Sequence, residues 1–84
     1  MISYSSYGTR ELIKLLTCLG YKPQRQVGSR HLKYRSPNKV VNGIYPFILV
    51  IQNKKEFDPH WQKEYIKQIS RHGFSEKQIN LCFP

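Results

Sequence analysis

Acidic side chains are scarce in this 84-residue chain: 5 Asp and Glu stand against 14 Lys and Arg, a formal charge of +9 at pH 7. So few carboxylates leave no cluster for paired acid–base work or for a metal. Glu56 and Asp58 are the one close acidic pair, and Asp58 is better explained as a helix cap. No metal and no cofactor are therefore expected. A glycine-rich turn opening a βαβ unit is also missing, which argues against dinucleotide chemistry. The longest apolar run, Ile44 to Ile51, is broken by Pro46 and falls far short of the roughly 18 residues of a membrane span. Residues 1–8 are polar and tyrosine-rich, without the apolar stretch of a secretory signal. The expectation is a cytoplasmic protein with no membrane contact. Cysteine is limited to Cys18 and Cys82, far apart, with no CxxC and no clustering with histidine. Two reduced thiols are expected, neither a disulfide nor a zinc site.

What is present suffices for one small domain. Apolar residues make up 39% of the chain and aromatics 13%, enough to offset the entropy of ordering. A single domain over 1–84 is expected, with 1–8 as an N-terminal extension and 75–84 as a short helix or tail. The surplus of positive charge calls for a polyanionic partner, nucleic acid foremost, unless it serves solubility alone.

Two helices are marked by their ends. Thr9 can cap the first, with Glu11 in its first turn and Leu12, Leu15, Leu16 and Leu19 on one face. Gly20 stops it, and Tyr21 can fold back on Leu16. Asp58 and Pro59 open the second helix, and Gly73-Phe74 repeats the exit. Trp61, Tyr65, Ile66 and Ile69 form its inner side, so Trp61 reads as core rather than as a stacking platform. Ser75 and Gln78 make a capping box before a short terminal helix or turn. Tyr4 and Tyr7 have two open readings, base stacking or packing at the sheet edge.

Between the helices the period becomes two. Over Arg30 to Arg35, Leu32 and Tyr34 point one way, and His31, Lys33 and Arg35 the other. Tyr45 to Ile51 reads as a strand covered by helices, Lys22 to Val27 as an edge strand holding Pro23, and 36–44 as a loop or distorted hairpin. The pattern is α+β: a three-stranded antiparallel sheet with both helices on one face and the other face open.

The residues with chemistry fall on that open face. A neutral imidazole at His31 could take the proton of an RNA 2′-hydroxyl, with Lys33 or Arg35 holding the phosphate. Gly28 and Ser29, just before, offer backbone N–H groups to an approaching ligand. The alternative is a solvated surface histidine. Lys63, Lys67 and Arg71, each four apart, form a ridge that is either a phosphate rail or a solvated helix face. His60 and His72 read as structural, His72 as a helix cap.

Three segments together carry a resemblance: residues 10–16 (REL-IKLL), Gly20-Tyr21, and Arg25-Gln26-Val27-Gly28-Ser29-Arg30-His31. With Ile66-Lys67-Gln68 and Gly73-Phe74-Ser75 in the tail, the chain is similar over about residues 9–79 to the HicA toxins of bacterial type II toxin–antitoxin modules. Their helix, Gly-aromatic stop and Gly-Ser-x-His motif recur here in the same order. The resemblance implies a double-stranded-RNA-binding-domain-like α-β-β-β-α fold. It also implies an endoribonuclease that cleaves mRNA without the ribosome and is silenced by a HicB-type antitoxin. The family's catalytic histidine falls on His31, flanked by Gly28, Ser29 and the variable Arg30. The chain departs from the family in a longer segment at 36–44 and in Gln52-Asn53 after the third strand. A non-catalytic RNA-binding module on the same face is the alternative.

Overall fold

The computed structural model describes residues 7–24, 31–39 and 43–84. The elements run α1 (Thr9–Cys18), β1 (Lys22–Gln24), β2 (His31–Arg35), β3 (Phe47–Ile51), α2 (Pro59–Arg71) and α3 (Glu76–Cys82). The strands form one antiparallel sheet in the order β1-β2-β3. Pro23 sits opposite Tyr34 on an edge strand, where its missing N–H costs no ladder bond. The expected α+β layout is the observed one, with α3 closing the chain.

One face of the sheet carries the core. Tyr34, Ile48 and Val50 point inward and join Leu12, Leu15 and Leu16 of α1, Tyr65 and Ile69 of α2, and Ile79 of α3 in a single buried cluster. The leucine triplet of α1 is fully buried, as its i, i+3, i+4 spacing requires. At the end of α1, Gly20 adopts φ +96°, its N–H bonds Thr17 O at 3.1 Å, and Tyr21 N–H bonds Leu16 O at 2.9 Å. That pairing is a Schellman stop, and it turns the Tyr21 ring into the core. The start of α1 differs from expectation by one residue. Gly8 is the cap and Thr9 the first helical residue. The Thr9 hydroxyl instead accepts from Lys54 N–H at 3.0 Å and donates to Ile51 O, tying α1 to the segment after β3. Gly8 is required here because a Cβ would fall 2.2 Å from Lys55 O.

Tyr7, left open by the sequence, is core. Its ring meets Phe57 and Phe83 edge-on and its hydroxyl donates to Gln62 O. Tyr4 lies outside the described residues. At α3 the capping box is complete, with Gln78 N–H donating to Ser75 Oγ at 3.2 Å and Ser75 N–H to Gln78 Oε1 at 2.8 Å.

The cysteines overturn the expectation of two free thiols. Cys18 ends α1 and Cys82 ends α3, and they form a disulfide with Cα atoms 5.5 Å apart. Their separation of 64 residues hid the pairing, which exists because Ile79 anchors α3 in the core beside α1.

Tyr65 sets where α2 lies. Its hydroxyl accepts from Ile51 N–H at 3.1 Å and donates to Leu49 O at 2.8 Å, filling two ladder positions on the free edge of β3. Burial raises the pKa of this hydroxyl, opposed by the Ile51 bond, so it keeps the proton it donates. Tyr65→Phe removes both bonds while preserving the ring. A loss of about 1–3 kcal/mol in urea-unfolding free energy is expected, and an unchanged midpoint would show that the hydroxyl does not hold the edge.

Candidate active site

The outer face of the sheet follows from strand register. His31 pairs with Ile51, Lys33 with Leu49, and Arg35 with Phe47, so these six side chains share one surface. Tyr45 to Ile51 was expected to be covered by helices. Only its inner residues are: Ile48 and Val50 are fully buried, whereas Leu49 is 40% exposed. The reason is the placement of α2 along the β3 edge. Its flank rises past the edge and leaves a cleft of about 660 Å³ between helix and outer sheet face.

Three elements wall this cleft. β3 supplies Phe47, Leu49 and Ile51; α2 supplies Trp61, Gln68 and Arg71; and the segment before β3 supplies Gly43, Ile44 and Tyr45. His31 stands at the Ile51 end, exposed at the first residue of β2, and His72 closes the far wall. Trp61 is half-buried: it packs on Tyr65 at 5.6 Å between ring centroids, as a core residue would, and also lines the cleft. The sequence reading missed Tyr45, Phe47, Leu49, Ile51 and Gln68 as site residues. The available signal was the alternation 47, 49, 51 opposite 35, 33, 31.

The expected binding residues divide by position. Lys33 Nζ lies 4.1 Å from the centroid of the Phe47 ring and the Arg35 guanidinium 5.6 Å from it, so both cations gather beside the cleft over an aromatic face. Lys63, Lys67 and Arg71 are all exposed, and Arg71 lines the cleft. Each step of four along an α-helix turns the ridge by about 40°, so Lys67 and Lys63 point progressively away. Arg71 approaches Glu64 at 4.0 Å, a partly exposed pair at the limit of contact and too weak to immobilise it. Gly28, Ser29 and Arg30 lie outside the described residues.

His72 follows α2 as its C-cap, as expected of a helix-end histidine, but it is also 97% shielded. The Tyr45 carbonyl can only accept, so Nε2, 2.8 Å away, carries hydrogen. Tyr21 then donates to Nδ1. Burial raises the Tyr21 pKa above its ordinary value, opposed by a hydrogen bond with Ser36, which keeps that proton in place. Asn38 Nδ2 donates to His72 O at 2.9 Å and fastens the segment after β2 to the same point. His72 therefore fixes the backbone at Tyr45 and with it one wall of the cleft.

Among the described residues no three His, Cys, Asp or Glu converge as metal ligands, and no helix is long and apolar enough to cross a membrane. The exposed imidazole of His31 stands at the mouth of a largely apolar cleft, with guanidinium and ammonium groups at hand. That set can move a proton and hold a phosphate. Neither a search of curated proteins nor one of solved structures returns a match. A model of the family described as HicA toxin of bacterial toxin–antitoxin matches residues 9–70, from the start of α1 nearly to the end of α2. The chain belongs to the HicA toxin family of bacterial toxin–antitoxin systems.

Proposed function

We propose that this toxin is an endoribonuclease that cleaves mRNA without the ribosome, with His31 as general acid/base, and that a HicB-type antitoxin neutralises it. Membership of a toxin family supplies the class and the existence of a cognate antitoxin. The observation that carries the chemistry is His31 at the mouth of a cleft shared with Arg71, beside Lys33 and Arg35 on the same sheet face. In the reaction, His31 takes the proton of a 2′-hydroxyl while that oxygen bonds to the adjacent phosphorus. The bond from phosphorus to the 5′-oxygen breaks, and the proton is returned to that oxygen. The products are a 2′,3′-cyclic phosphate and a 5′-hydroxyl, and the imidazole ends as it began. Arg71, Lys33 and Arg35 hold the phosphate, and Lys63 and Lys67 with Gly28, Ser29 and Arg30 extend the contact along the strand. An antitoxin with an acidic surface fits the same cationic face, so that inhibitor and substrate compete.

The test is direct. Purified toxin shortens RNA in the presence of EDTA, and its binding to a single strand weakens with salt at a log–log slope of about −0.7 per contacted phosphate. Intact RNA combined with salt-sensitive binding would replace the enzyme by a non-catalytic RNA-binding module. Cleavage that stops in EDTA would overturn the metal-independent mechanism.

A further inference from the structure

We infer that the cleft beside His31 is a binding site for one unpaired nucleobase, so that the toxin selects single-stranded RNA. The inference builds on the reading of this face as the RNA side and adds what the cleft itself recognises. A phosphate rail needs only cations, yet most of the residues lining this cleft are not cationic. Trp61 on α2 and Tyr45 and Phe47 on the opposite side are aromatic, and Tyr45 is 55% exposed although apolar surface gains from being covered. The volume of about 660 Å³ falls within the range of small-molecule sites, roughly 300–1,000 Å³. Polar groups enter at defined places: the Gln68 amide can both donate to and accept from a base edge, and Arg71 sits where a phosphate would follow.

An unpaired base has apolar π faces, a polar edge and an anionic link, and each has its counterpart in this cleft. A paired base keeps only the anionic link, because its faces are stacked and its pairing edge is occupied. Sequence-selective RNA recognition acts on unstacked bases held against aromatic side chains, whereas a duplex is met through shape and phosphates. His31 at the end of the cleft would then face the ribose of the captured nucleotide, placing the reactive 2′-hydroxyl by the position of its own base.

Trp61 is the chain's single tryptophan, so its emission reports on the cleft. The probe is a 2′-O-methyl RNA octamer, which lacks the attacking hydroxyl and stays intact. The expected result is saturable quenching of Trp61 by the single strand, with binding about tenfold tighter than for an abasic octamer of equal phosphate number. The complementary duplex should bind without comparable quenching. Tyr45→Ala, at an exposed ring, should lower single-strand affinity by about tenfold and leave abasic affinity unchanged. Equal binding of the base-bearing and abasic strands overturns the inference, as does equal quenching by the duplex. Cleavage of ordinary RNA is assayed separately. Cleavage without base-dependent binding sinks this inference alone, and base-dependent binding without cleavage sinks the catalytic reading alone.

Discussion

Replacing His31 with alanine lowers the rate of RNA cleavage by about 10²–10⁴-fold, the span that a positioned proton-transfer group supplies. In the proposed mechanism the fall belongs in the chemical step, since phosphate binding is assigned there to Arg71, Lys33 and Arg35. Binding of an uncleavable strand by the variant therefore stays within about twofold of the unaltered toxin, near the limit for a surface change of this kind. His31 is exposed and lies at the first residue of β2, with its backbone held by the ladder to β3. Thermal unfolding and affinity for the antitoxin are accordingly expected to match those of the unaltered chain. Arg71→Ala gives the contrasting pattern: weaker binding at low salt, a shallower salt slope and a smaller effect on the bound-state rate. Growth arrest on induction provides the cellular readout, lost in His31→Ala. A variant that cuts RNA at the wild-type rate would remove His31 from the mechanism and leave the cleft as a binding feature.

The sequence carried the boundaries of this fold better than its assembly. Gly20-Tyr21, Asp58-Pro59 and the Ser75–Gln78 box mark helix ends, and each falls where it was read, although the Asp58 side chain makes no cap hydrogen bond. Alternation in 31–35 likewise set which residues face outward. Local signals stop there. Thr9 has the composition of a cap, yet its hydroxyl is used 42 residues away at Ile51, a partner that no helix rule could supply. The outward placement of His31 was legible because it follows from alternation along its own strand. The cleft was not, because its depth depends on α2 rising past β3, which rests on tertiary contacts such as the Tyr65 hydroxyl on the β3 edge. His72 illustrates the same limit: its place at the helix end could be read, but its hold on Tyr45 spans 27 residues.

Reduction of the Cys18–Cys82 disulfide should destabilise the toxin by about 4 kcal/mol, the loop-closure entropy released when a link spanning about 64 residues is cut. A small domain has little to spare, since total stabilities run at about 5–15 kcal/mol. The link spans most of the chain, from the end of α1 to the end of α3, so both sheet and α2 lie inside the closed loop. Ile79 and Cys82 of α3, with Phe83 just after it, pack against the core cluster. Loss of the bond therefore loosens α3 first and then Tyr7, whose ring rests on Phe83. The measurement is urea unfolding with and without reductant. The oxidised chain should unfold at a higher midpoint, and Cys18→Ser/Cys82→Ser should match the reduced chain and ignore reductant. The cleft lies on the far side of the sheet from this core, so RNA cleavage per folded molecule is expected to survive reduction at low temperature. Coincident midpoints for the oxidised and reduced chains would show that packing of Ile79 alone holds α3 in place.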